Sequence, residues 1–329
     1  MAGFLAGLLD ATVRAATPLL LASLGEIVSE RGGVLNLGVE GMMLVGALCG
    51  FATTATTGSP WLGFAVGTAA GAAMATVHAV LCISFKADQV ISGVMLTLLG
   101  GGLTTYFGQS WVSETIDGFD AVVVPVVGPA LVDLPVVGPA LFQNTLTDYL
   151  ALALVPAASY VLFRTNIGLE ITAVGDDPEA ADTMGVPVFA VRYLCVIVGG
   201  ASAGAAGAHL SLAFSKLWIT GMTAGRGWIA IALVIFAQWR PWRVLVGASL
   251  FGGIEAFILR SQGLDLSVTG VPFAGPLDAA VGFATNPQVM AMYPYLATVV
   301  VLVVVTRNSL EERVGAPAAL LDNYSRETE

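Results

Sequence analysis

Residues 41–85 read GMMLVGALCGFATTATTGSPWLGFAVGTAAGAAMATVHAVLCISF, 45 residues without an Asp, Glu, Lys or Arg. A helix crosses the hydrocarbon core of a bilayer with about 20 apolar residues. The run is too long for one crossing and long enough for two. The polar cluster Thr53–Pro60 supplies the turn between them. The stretch predicts a helical hairpin in a membrane, and the whole composition agrees. Of the 329 residues 56% are hydrophobic and 11% charged, with mean hydropathy +0.84. A soluble domain carries about 25% charged residues. Thirteen Lys+Arg against 23 Asp+Glu give a net charge of −10, which argues against a nucleic-acid partner. The apolar content excludes disorder for most of the chain.

Working outward, nine spans are expected, at roughly 8–28, 34–54, 61–84, 89–111, 146–163, 190–212, 225–239, 243–262 and 289–306. One transmembrane domain is expected over 1–310, with a polar cytoplasmic tail over 311–329. Basic residues favour the cytoplasmic side. With the N-terminus outside, Arg31, Lys86, Arg164, Arg192, Arg240, Arg243, Arg307, Arg313 and Arg326 fall inside, and Arg14, Lys216, Arg226 and Arg260 outside or at the outer edge. An even span count would put the N-terminus inside instead. The start, MAGFLAGLLDATVR, has no basic residue before Arg14 and no clear cleavage site, so a removable signal peptide is not expected. Gly63, Gly67 and Gly71 make two GxxxG steps and Gly100–Gly102 is a triple glycine, both read as close helix packing.

Two segments break the hydrophobic pattern. The first is EIVSERGGVLNLGVEG, 26–41; the second is GMTAGRGW, 221–228. Each runs polar residue, glycine, charge, glycine, then apolar helix, with Glu40-Gly41 and Arg226-Gly227 in like positions. The spans that follow are five apart and so run in opposite directions, as in an inverted repeat. Such repeats put broken helices beside a translocation path. Asn36, Glu40 and Arg226 are therefore path candidates, and Gln89, Ser92, Thr97, Thr223 and Trp228 could serve a polar or flat solute beside them. A charge within the bilayer costs about 2.5–3.5 kcal/mol, so Glu26 and Glu255 are either path groups or else paired or interfacial. Arg226 opposes the dipole of the helix it starts, and an ion pair with an acid is its alternative. His78 and His209 lie within spans, at metal-ligand spacing neither from one another nor from Cys49, Cys82 or Cys195. They read as helix–helix hydrogen bonds, and no metal site is expected.

The loop RTNIGLEITAVGDDPEAADTMGVPVFAVR, 164–192, is placed in the cytoplasm by that orientation. Asp176 or Asp177 can cap a helix, Pro178 fits its first position and Glu179 its first turn. Gly185 can end it and Pro187 blocks continuation. A two-turn helix Pro178–Met184 is expected, with Ala180, Ala181 and Met184 as a small apolar face: a docking knob, or else a solvated loop helix.

Glu179-Ala180-Ala181 followed by Gly185 resembles the EAA-xxx-G pattern of ABC-importer permeases, whose coupling helix docks into the ATPase. GLEITAVGDDPEAADTMGV (168–186) is similar to the coupling loop of the branched-chain amino acid, ribose and nucleoside permease superfamily. LGEIVSERGGVLNLGVEGMMLVGA (24–47), ADQVISGVMLTLL (87–99) and ITGMTAGRGWIAIALVIFAQWRP (219–241) extend the resemblance to its nucleoside or simple-sugar branch. Lys216-Leu217-Trp218-Ile219 departs from the expected Pro before Gly221, which affects only local loop shape. The resemblance implies an all-α polytopic permease of the type II importer kind, the shorter of two unlike permeases in a bacterial inner (cytoplasmic) membrane. Its coupling residues would be Asp177, Pro178, Glu179, Ala180, Ala181, Met184 and Gly185. Its partners would be a longer permease, a cytoplasmic ABC ATPase carrying ATP and Mg, and an extracellular or periplasmic binding protein docking on the outer loops Val112–Thr145 and Leu264–Gln288. The solute would be nucleoside-like, with a simple sugar, a purine base or riboflavin as alternatives.

The residues agree that this chain holds no ATP. A P-loop needs Gly-Lys-Ser/Thr, and the lysines are Lys86, between Phe85 and Ala87, and Lys216, between Ser215 and Leu217. Gly200-Ala201-Ser202-Ala203-Gly204 matches GxSxG formally but sits in an apolar span without the strand–turn–helix context of a nucleophile elbow. No HExxH is present, so no enzyme activity is expected. The competing reading is an ion-coupled transporter working alone, with Glu26, Glu40 and Glu255 as coupling groups; a structural membrane protein without transport is a third.

Overall fold

The computed structural model describes residues 2–123, 137–261 and 315–325, and parts of 281–303. In chain order the elements are helices α1 (Ala2–Arg31), α2 (Val39–Thr57), α3 (Pro60–Ala79) and α4 (Gln89–Phe107), strand β1 (Ala121–Val123), helix α5 (Val137–Phe142) and strand β2 (Gln143–Thr145). Helices α6 (Leu146–Arg164), α7 (Asn166–Asp176), α8 (Pro178–Thr183), α9 (Val188–His209), α10 (Arg226–Ala237) and α11 (Pro241–Ser261) follow. Among the described residues seven helices are long and apolar enough to cross a membrane: Leu5–Arg31, Val39–Thr57, Pro60–Ser84, Gln89–Phe107, Leu146–Arg164, Val188–Phe214 and Pro241–Ser261. The protein is a polytopic helical membrane protein.

The span expected at 225–239 needs correction. Helix α10 has 12 residues, about 18 Å at 1.5 Å per residue, little more than half the hydrocarbon core. Its flanks cannot extend it. Gly221 and Gly225 precede it with φ of +73° and +83°, and Gln238 and Trp239 follow at +51° and +53°. Helix α2 opens at Val39 rather than 34, which leaves Asn36 in a non-helical segment. The span expected at 289–306 lies largely outside the described residues.

The chain groups into a smaller unit (Met1–Ala16, Val123–Asn144, Ser249–Glu312) and a larger one (Thr17–Val122, Thr145–Ala248, Arg313–Glu329). In the smaller, a Cβ on Gly252 would lie 2.6 Å from the Ala16 nitrogen, so α11 and the start of α1 touch through backbone. The larger holds both broken segments, the 164–190 loop and the segment 315–325.

The centre of the larger unit is a backbone-to-backbone packing of α2, α3 and α9. A Cβ on Gly46 would stand 2.5 Å from the Gly204 carbonyl oxygen, and one on Gly67 2.5 Å from that of Gly46. The GxxxG steps of α3 are thus a contact surface, because only a missing side chain permits such approach in lipid. Gly100 plays the same part between α4 and Gly41, with its Cβ position 2.6 Å from the Gly41 oxygen, whereas Gly101 and Gly102 face open space.

Helices α3 and α9 end alike. Each passes into one π-turn, Val80–Ser84 and Leu210–Phe214, and each is followed by a lysine in left-handed conformation, Lys86 and Lys216. π-turns inside helices concentrate at functional places. After the second, Trp218 is fully buried and its backbone pairs with Ser113 and Glu114. Lys216 Nζ donates to Asp120 at 2.7 Å, and this bond holds the exposed Asp120 carboxyl below its ordinary range. That clasp organises the first part of the loop 112–145; the loop 264–288 lies largely outside the described residues.

Candidate functional site

A non-helical segment inside a membrane protein must find partners for every backbone polar group, because lipid supplies none. The segment 33–38, between α1 and α2, meets much of that demand with side chains from three helices, α1, α3 and α4, and with its own Asn36. Ser29 Oγ donates to the Val34 carbonyl at 2.9 Å. The Leu35 amide donates to Gln89 Oε1 at 2.8 Å, and its carbonyl meets His78 Nε2 at 3.0 Å. The Asn36 amide donates to Glu26 Oε1 at 2.9 Å, and Thr97 Oγ1 donates to the Leu37 carbonyl at 2.9 Å. Asn36 Oδ1 accepts from the Gly38 amide at 2.9 Å. A carbonyl only accepts, so His78 carries a proton on Nε2, and its Nδ1 shares a hydrogen bond with Ser92 Oγ, 2.9 Å away. The buried Glu26, Asn36, His78, Gln89 and Ser92, with half-buried Thr97, are one constellation that holds a break open.

The second break meets the first at Glu40. Its Oε1 accepts from Thr223 Oγ1 at 2.6 Å and from the Gly225 amide at 2.8 Å, and its Oε2 from the Gly227 amide at 2.6 Å. Glu40 lies in the first turn of α2, so one carboxylate serves two helix N-termini, α2 and α10, where negative charge is favoured. A side chain at 227 would strike Glu40, whose Cα is 2.5 Å from the Cβ position. Arg226 does not pair with that carboxylate in these bonds. Its Nη1 donates to the carbonyls of Met222 and Thr223 at 3.2 and 3.3 Å, and its guanidinium lies 5.7 Å from the Phe214 ring. The backbone carbonyls of the preceding turn offset the helix dipole that a cation at this position opposes. Trp228, beside it, is 42% exposed.

Three features had no mark in the sequence reading. Glu30 Oε2 accepts from Trp239 Nε1 at 2.6 Å, and Arg31 Nε donates to the Trp239 carbonyl at 3.3 Å, so the end of α1 holds the exit of α10. Asp148, with Thr145 in a capping box, accepts from Thr17 Oγ1 at 2.7 Å and stands 3.6 Å from His209. The spacing Thr145-x-x-Asp148 was the available signal for it. The third is the segment 315–325, which packs against the 164–190 loop. His209 also meets Thr147 Oγ1 at 2.8 Å, so both histidines join helices.

In that loop Asp177, rather than Asp176, caps α8: its Oδ1 accepts from the Ala180 amide at 2.9 Å, with Pro178 next. Gly185, at φ +85°, closes the helix, and its amide reaches the Asp182 carbonyl at 2.9 Å. The helix ends at Thr183, so Met184 lies just beyond it. The expected face of Ala180, Ala181 and Met184 does not form. The burial divides them: Ala180 and Met184 are exposed, the latter at 83%, whereas Ala181 turns inward. Asp176, Pro178, Glu179, Ala319, Asp322 and Tyr324 bound a cleft of about 410 Å³ beside the helix.

The family model described as the permease component of branched-chain amino acid transport systems matches residues 8–273. TsgC13 of the archaeon Haloferax volcanii, provisionally named a glucose ABC transporter permease protein, is 63% identical over 325 residues, 98% of this chain and 99% of its own length. The guanosine ABC transporter permease protein NupQ of Bacillus subtilis is 34% identical, covering 90% of each chain. The nucleoside ABC transporter permease protein NupC of Lactococcus lactis is 32% identical, covering 87% and 88%. Haloferax volcanii and Bacillus subtilis each also have a second match at 26% identity, TsgB13 and NupP. No solved structure matches. The ion-coupled reading falls with these matches. By its match over most of its length, the chain belongs to the family of branched-chain amino acid transport system permease components and is an ABC transporter permease subunit rather than an enzyme.

Proposed function

We propose that this subunit imports a simple sugar, pairing with a second, unlike permease. The observation that carries the solute class is the 63% identity to TsgC13 along nearly the whole chain. It reverses the order suggested by the motifs, which put a nucleoside first; NupQ and NupC keep the nucleoside as the second reading. The second permease is supported by the co-occurrence of TsgC13 with TsgB13 and of NupQ with NupP. The path runs beside the junction of the two breaks. There Trp228 and Arg226 offer a flat apolar face and donor groups to a polyhydroxylated ring. The buried Asn36, Glu40, Gln89, Ser92 and Thr223, with Thr97, form the frame that shapes the path. Their hydrogen bonds to the breaks support that division of labour.

The helix Pro178–Thr183 serves as the contact with a cytoplasmic ATPase, which binds ATP and Mg. The exposed Glu179, Ala180 and Met184 form the contact, and Asp177, Pro178, Ala181 and Gly185 form and seat it. The protein acts in the cytoplasmic membrane, with an extracellular binding protein delivering solute. An archaeal relative at 63% identity leaves no ground for a specifically bacterial membrane.

The test is a reconstituted complex of this chain, the second permease, the ATPase and the binding protein in liposomes. Radiolabelled glucose and guanosine are offered in turn. ATP-dependent glucose uptake, with glucose-stimulated ATP hydrolysis, is expected. Guanosine uptake alone would establish the second reading, and uptake of neither would overturn both.

A further inference from the structure

The segment 315–325 reads as a solvated tail by composition, yet it is pinned to four elements. The Ala319 amide donates to the Gly175 carbonyl at 2.9 Å and the Ala318 amide to Asp176 Oδ1 at 3.4 Å, both at the end of α7. Asn323 Nδ2 donates to the carbonyl of Lys86, in the turn after α3, at 2.8 Å. Arg192 of α9, only 2% exposed, donates to the Asp322 carbonyl at 3.0 Å. Tyr324 is 8% exposed; its ring lies 5.4 Å from that of Phe189 and its hydroxyl donates to Asp182 Oδ2 in α8 at 2.8 Å.

We propose that residues 316–325 are a strap that sets the attitude of the ATPase-contacting helix, with Tyr324 and Arg192 as positioning residues. The inference rests on the reading of Pro178–Thr183 as the ATPase contact. Helix α8 has six residues and one buried apolar side chain, Ala181, so its own packing gives it little hold. Tyr324 supplies a second hold, on the same turn, and ties it to Phe189. Through Arg192 and Lys86 the same strap reaches α9 and the end of α3, two of the three helices joined at the glycine contacts. A displacement of α8 is thereby delivered to the centre of the larger unit along two routes, the direct chain connection 184–188 and the strap. Coupling of this kind needs a contiguous physical link between the two sites, and the strap supplies one.

The experiment compares wild type, Tyr324→Phe and a form lacking residues 316–329 in the reconstituted complex. ATPase capture by the permease, basal ATP hydrolysis and solute moved per ATP are measured. Tyr324→Phe removes one hydrogen bond and keeps the ring, so capture and basal hydrolysis are expected to stay at wild-type level. Solute per ATP is expected to fall about three- to tenfold, and further in the truncated form. Solute per ATP at the wild-type value in both variants overturns the strap, as does a loss of capture in Tyr324→Phe that accounts for all lost transport. Removing residues 178–184 tests the underlying reading separately: ATPase captured as well as by wild type would overturn the contact itself.

Discussion

Glu40 joins the two breaks through three charge-assisted bonds, and its chemistry is unforgiving. A glutamine would keep one acceptor but turn an NH₂ group toward donors at Gly225, Gly227 or Thr223. Hydrogen bonds to charged groups contribute about 1.5–3 kcal/mol, and a buried mismatch costs a similar amount. Glu40→Gln is therefore expected to lower stability by about 2 kcal/mol and to abolish most uptake. Thermal unfolding in detergent and uptake in liposomes measure the two effects, and a variant that melts and transports like wild type would remove Glu40 from its role as the knot. Sequence showed that Glu40 and Arg226 occupy equivalent places in two similar motifs. It did not show that the acid reaches across to the backbone of the second motif, because a motif specifies residues and not partners. The same blindness applies to Glu30 and Trp239, which lie 209 positions apart and bond at 2.6 Å.

Among the elements, α8 was the most legible, since its cap, first turn and stop are all local. Asp177→Ala removes the N-cap, which typically costs about 1 kcal/mol. In a six-residue helix that loss is expected to fray the element and reduce ATPase capture several-fold, measured by pull-down from detergent. Unchanged capture would show that the helix does not need its cap to dock. Helix α10 was the least legible. Its apolar run looks like any span, and only left-handed residues at both ends reveal that it stops halfway. The helix contacts give a further test. Gly46→Val places branched carbons where the Gly204 carbonyl stands, 2.5 Å from the Cβ position. Overpacking of a fitted contact costs about 1–3 kcal/mol, so a fall in melting temperature is expected, whereas Gly101→Ala, facing open space, should leave it unchanged.

At the scale of the whole molecule, the seven long helices were readable from charge-free runs at 41–85, 89–113 and 193–215 and from shorter apolar runs at 15–25, 149–163 and 244–254, because lipid imposes length and apolarity on anything that crosses it. The grouping of 313–329 with the larger unit was not, because its holds are backbone amides and single side chains from distant stretches. Orientation can be tested directly. Met184→Cys, at a position 83% exposed, should react with a membrane-impermeant maleimide in inside-out vesicles and not in right-side-out ones, above the background of Cys49, Cys82 and Cys195. Bound ATPase should protect it. Labelling from the outside would reverse the assigned topology and remove the ATPase contact with it.

The meeting of α2, α3 and α9 through bare main chain has a mechanical consequence. Side chains can swap rotamers and let neighbours slide, but carbonyls locked against glycines offer no such slack. On this packing the three helices are expected to move as one dovetailed block. Transport as proposed would then draw its give from joints outside that block, where the chain turns left-handed at Lys86, Lys216, Gly225 and Gln238.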